Sequence, residues 1–143
     1  MFSVTGFLRC AAAVLASASI VAVDVLDAIP ARADDDGFPF GFEMTLETAP
    51  QPGSKRLPTL EIGDSGEASL DLWCKSGKGQ FSVAGNTVIF VPGPIQANAC
   101  TPDRAAIDDD VLATLSAAAN WQRQGDLVSF VGTKSLHFRI NTN

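Results

Sequence analysis

Histidine is almost missing from this 143-residue chain, where His137 stands alone. A general base needs a nucleophile or an acid held beside it. A single imidazole on an alternating strand reads more simply as an ordinary surface or edge residue. No Gly-x-Ser-x-Gly stretch offers a nucleophile elbow. One histidine and three cysteines make no zinc constellation. No CxxC pair occurs, which argues against dithiol catalysis. Basic residues are also scarce: Lys and Arg total 10 against 16 Asp and Glu, and no basic cluster exceeds Lys55-Arg56. A nucleic-acid partner needs a basic patch, so none is expected. The sequence therefore predicts no catalytic residues, no metal and no cofactor, and a protein that is not an enzyme.

Long apolar runs are missing too, apart from one near the N-terminus. Cys10 to Val23 (CAAAVLASASIVAV) is apolar and built of small residues, and Arg9 precedes it. The run falls short of the roughly 20 residues that a spanning helix needs. Ala31-Arg32-Ala33 follows it as an A-x-A cleavage pattern. Residues 1–33 are thus expected to be a secretory signal cut between Ala33 and Asp34, leaving no membrane span. Asp24 and Asp27 sit unusually close to the apolar run, and an uncleaved anchor is the alternative. Removing residues 1–33 takes away two cations and two anions, so the net charge stays at −6. The remaining chain is expected in the periplasm or outside the cell.

Export changes the cysteine arithmetic. Cys10 leaves with the signal, and Cys74 and Cys100 remain as a possible pair in a compartment that permits disulfides. Such a bridge closes a loop of about 25 residues and is worth on the order of 3 kcal/mol. The alternative is two buried thiols that never meet.

From Asp34 onward there is no repeat, low-complexity tract or linker. Asp34-Asp35-Asp36 reads as a solvated terminus, with no EF-type spacing after it. Phe38, Phe40 and Phe42 alternate, as one aromatic edge on a sheet or as an exposed patch. Phe42, Met44 and Leu46 alternate with polar residues in a half-buried strand. Leu57 to Ile62 is a short strand. Ala68, Leu70, Leu72 and Cys74 form the apolar face of the next, which points the Cys74 sulfur inward. Lys75 to Gly79 reads as a loop. Gln80–Val83 and Thr87–Val91 flank Gly85-Asn86 as a hairpin, and Pro92-Gly93-Pro94 ends it. Thr101-Pro102 starts a helix, with a hydroxyl at the N-cap and proline at the first position. Ile107, Val111, Leu112, Leu115 and Ala118 give that helix one apolar face, and it stops near Ala119 or Asn120. Asp108, Asp109 and Asp110 read as a solvated face rather than a cation site. Trp73 and Trp121 read as packing rather than as ligand-pocket walls. Strands around Trp121–Arg123, Leu127–Val131 and Leu136–Ile140 complete the chain. The expected fold is α+β: a β-rich, curved antiparallel or mixed sheet, barrel-like, with one main helix.

The order of these features resembles the META domain (HslJ-like) family. The corresponding residues are Cys74; Gly79 and Phe81; Gly85, Asn86, Val88 and Phe90; Ala99 and Cys100; Asp108; and Val111, Leu112 and Leu115. Gly125-Asp126-Leu127 resembles a later family turn, displaced by one position. The likeness covers Leu57 to Ile140. The chain departs from the family pattern at Trp73, at Lys75 and over Ile95-Gln96-Ala97-Asn98. The resemblance implies an extension over residues 34–56 carrying the first strand, and a META domain over 57–143. It also implies a small bacterial envelope or secreted protein, linked to stress tolerance, with no assigned catalytic residues or cofactors. A non-catalytic module that binds an unidentified envelope or extracellular protein is the leading expectation. A binder of a small apolar molecule or lipid within the barrel, and a secreted hydrolase inhibitor using an exposed loop around Pro92–Asn98, are the alternatives. The oligomeric state is not legible.

Overall fold

The computed structural model describes residues 37–142. The signal region and its expected cut between Ala33 and Asp34 lie outside them. Eight strands and one helix follow in order: β1 (Phe42–Leu46), β2 (Thr59–Ile62), β3 (Glu67–Asp71), β4 (Lys75–Ala84), β5 (Thr87–Ala97), α1 (Pro102–Ala117), β6 (Asn120–Gln124), β7 (Leu127–Val131) and β8 (Ser135–Ile140). Each strand pairs antiparallel with its sequence neighbours. β8 returns to β1, with Met44 opposite Ile140 and Leu46 opposite Phe138, so the sheet closes as a barrel. β1, placed by the sequence in an extension ahead of the domain, is one of the closing staves. Alternation decides which side chains enter: Met44, Leu60, Ile62, Leu70, Phe81, Val88, Phe90, Val128, Phe130, Phe138 and Ile140 all point into the core. Phe81, Phe90, Phe130 and Phe138 form a chain of ring contacts with centroids 4.8–5.8 Å apart.

The two poles of the barrel are stopped differently. At one pole Phe38 is a plug, its ring 5.2 Å from Trp121, 5.6 Å from Phe81 and 6.3 Å from Phe130. Phe38, Phe40 and Phe42 therefore do not share one aromatic edge. Phe38 and Phe40 keep their rings 4.7 Å apart, while Gly41 takes a φ of 79° and turns the chain between Phe40 and Phe42. Phe40 and Phe42 are left 39% and 40% exposed, with Arg123 over the Phe42 ring. At the other pole α1 packs against β5 and β8 and sends Val111 and Leu115 into the core. Pro102 opens the helix as expected, but the Thr101 hydroxyl makes no capping bond. The helix ends at Ala117, two residues early, because Asn120 already belongs to β6.

Two segments read as irregular are strand. Lys75, Ser76 and Gly77 pair with Ala97, Gln96 and Ile95, so both arms of the β4–β5 hairpin run past Pro92-Gly93-Pro94. Glycines and prolines argue against strand in each arm taken alone. A bulge between Gly77 and Gly79 absorbs them, and the Asn98 N–H donates to the Cys74 carbonyl at the far end. Gly79 has its own reason to be glycine. A Cβ there would lie 2.4 Å from the buried Phe90 ring. Gly79→Ala is therefore expected to cost about 1–3 kcal/mol by overpacking. Chemical denaturation should show the loss, and a Gly79→Ala/Phe90→Leu double variant should recover part of it. Strictly additive losses would show that the ring is not what excludes a side chain.

Candidate functional site

The residues flagged by spacing converge at the helix pole. Cys74 leaves β3, Cys100 precedes α1, and their sulfurs are bonded, with Cα atoms 5.6 Å apart. The bridge clamps the open end of the β4–β5 hairpin to the start of the helix. Beside it lies Asp108, which corrects the expectation of a solvated helix face: it is 0% exposed. Its Oδ2 accepts the backbone N–H groups of Cys74 at 2.6 Å and Lys75 at 2.9 Å, and its Oδ1 that of Trp73 at 3.2 Å. The turn from β3 into β4 exposes three N–H groups at once, and the carboxylate satisfies them all. A sequence signal for this was present. Asp108 falls at the same three- and four-residue spacing as Val111, Leu115 and Ala118, so it had to lie on the inward face. Asp109 and Asp110 do point outward, where they meet Lys75 and Lys134.

The remaining flagged residues do not assemble into a catalytic centre. His137 lies exposed on β8, its Nδ1 2.8 Å from the Ser129 hydroxyl across the β7–β8 pair. Among the described residues no third group bonds the other ring nitrogen to orient it as a base. Trp73 donates its indole N–H to the Arg56 carbonyl and Trp121 to that of Gly85, at opposite poles, so they share no pocket. Arg139 bridges Glu47 and Asp126, and its hydrogen bond holds the Asp126 carboxyl below the usual carboxylate range. No group of three or more metal-binding side chains occurs among the described residues. No helix among them is long and apolar enough to cross a membrane.

What the surface does offer lies on β5. Ile89 and Val91 are each 58% exposed on its outer face, opposite Ser82 and Gln80. On its other side β5 meets β6 at a single residue pair, Thr87 with Asn120. Beyond Thr87 this edge of β5 has no strand partner among the described residues, and Pro92 and Pro94 limit backbone pairing there. Sequence reasoning placed Ile89 and Val91 in the strand Thr87–Val91, but it ended that strand at Pro92, whereas it runs on to Ala97.

A sequence model described as the META domain matches residues 43–138. Among solved structures, a protein determined by NMR aligns with a TM-score of 0.54 at 12% identity, covering 70% of this chain and 89% of that one. At that identity the likeness concerns the fold. A search of curated proteins gives no match.

Proposed function

The chain belongs to the META domain family, and from that premise we propose that it is a non-catalytic, exported protein that supports envelope stress tolerance by binding another protein. One observation carries the reading: the side chains that give the sequence its family character have structural tasks. Cys74 and Cys100 form the staple, Asp108 holds the β3–β4 turn, and Gly79 makes room for Phe90. Gly85 takes a positive φ in a hairpin turn, while Val88 and Phe90 fill the core. The exposed Ile89 and Val91 provide an apolar contact surface of the kind partners use. An apolar ligand inside the barrel has less support, because Phe130, Phe138, Met44 and Leu60 occupy the interior. An inhibitory loop around Pro92–Asn98 has less support too, since Pro92–Ala97 is paired strand.

Two measurements test the proposal. Mass spectrometry of the protein from the native host's envelope fraction should show an N-terminus at Asp34 and a mass two protons below that of the reduced chain. In a host lacking the gene, the wild-type chain should restore growth under envelope stress, and an Ile89→Asp/Val91→Asp variant should not. Exposed substitutions of this kind usually shift stability by less than about 0.5 kcal/mol. Equal rescue by both chains would overturn the β5 surface, and a cytoplasmic, uncut chain would overturn export.

A further inference from the structure

The bulge in the β4–β5 hairpin creates a groove of about 330 Å³ on the outer wall, lined by Ser69, Ser76, Gly77, Lys78, Pro94 and Gln96. Gly77 lets Ile95 and the Pro94 carbonyl close in beside the groove, since a Cβ there would lie 2.4 Å from Ile95 Cδ1 and 2.5 Å from that oxygen. The register sets Lys78 across from Ser69, and Ser76 across from Gln96. Three strands thus bring an ammonium, two hydroxyls, a carboxamide and a proline ring to one concave patch.

The groove carries one cation, Lys78. In a chain of net charge −6, Arg56, Lys75, Lys134 and Arg139 all face carboxylates. Among the described residues Lys78 faces none. Its Nζ donates to the Ser69 hydroxyl at 2.6 Å, which leaves two of its three protons for a ligand. The larger groove of about 570 Å³ along β1 and β8 differs: its cation is Arg139, already bound to Glu47 and Asp126.

We infer that the Lys78 groove binds a carboxylate-bearing saccharide. The ammonium takes the carboxylate, Ser76 and Gln96 exchange hydrogen bonds with ring hydroxyls, and Pro94 supplies an apolar wall for the C–H face of the sugar. A single lysine suits a monoanion. Phosphate recognition more often uses an arginine fork or a row of backbone N–H groups, and the groove has neither. The proposal needs neither a partner on Ile89 and Val91 nor export.

Titration of the whole isotope-labelled protein with D-glucuronate, followed by amide chemical shifts, tests this. Saturable shifts are expected at Ser69, Ser76, Gly77, Lys78 and Gln96. Glucose, which lacks the carboxylate, should bind about tenfold more weakly, a factor typical of one charge-assisted hydrogen bond lost, and acetate, which lacks the hydroxyls, about tenfold more weakly through the neutral hydrogen bonds to Ser76 and Gln96 that it forgoes. Lys78→Ala should weaken glucuronate by a similar factor, with resonances outside the groove unmoved. Inorganic phosphate binding the same residues as tightly as glucuronate would overturn the saccharide assignment. Diffuse shifts, or binding unchanged in Lys78→Ala, would overturn the site.

Discussion

Asp108→Ala should destabilise the protein by about 3–5 kcal/mol, more than any other single polar substitution among the described residues. The expectation follows from where the carboxylate sits: its residue is fully enclosed, and it is the acceptor for three consecutive N–H groups. Truncation leaves the buried Cys74 N–H with no acceptor and loosens those of Trp73 and Lys75. Asp108→Asn is milder, about 2 kcal/mol, because one amide oxygen can still accept while the new NH2 faces a donor. For a domain of this size the alanine variant should melt about 10–20 °C lower. Hydrogen exchange should speed first at residues 73–75. A loss below about 0.5 kcal/mol would return Asp108 to the solvated face that the acidic run Asp108-Asp109-Asp110 suggests.

Breaking the Cys74–Cys100 bond should be the next largest effect, about 3 kcal/mol for a crosslink spanning 26 positions. That is a large share of the roughly 5–15 kcal/mol that holds a domain together. Cys100→Ala loses the bond alone. Cys74→Ala also leaves a gap, because Cys74 is enclosed in the core, and should melt slightly lower. The double variant should be no worse than Cys74→Ala, since both substitutions remove one shared bond. Additive losses in thermal melts would mean that the sulfurs act separately. Dithiothreitol should reproduce the Cys100→Ala loss in the wild-type chain and do nothing further to that variant.

The sequence carried the fold wherever one strand or helix could be read on its own. Met44 and Leu46 in β1, Phe138 and Ile140 in β8, and Val111 and Leu115 in α1 all fall on the faces their spacing predicts. It failed where two weak segments support each other. Lys75–Gly77 and Ile95–Ala97 have little strand character singly and become strand only through mutual pairing, a bulge and the nearby disulfide. The outer groove depends on that bulge, so Lys78, Ser76 and Gln96 could not have been grouped beforehand. Asp108 was misread for a different reason. A charge run suggested solvent, while the helical period had already placed its first member inward. Phe42 was separated from Phe38 and Phe40, whose rings lie 4.7 Å apart, by the left-handed turn at Gly41, which alternation cannot foresee.

The antiparallel pairing of β1 with β8 has a practical reach beyond closure. β1 enters and β8 leaves at the Phe38 pole, where the Asn141 N–H donates to the Glu43 carbonyl. A tether or tag attached at either flank would therefore hold the molecule by that pole and turn the helix and its disulfide outward. The same proximity means that a short peptide could splice the two ends together, with new ends opened at the Gly125 turn, giving a circularly permuted chain with every stave of the barrel in place.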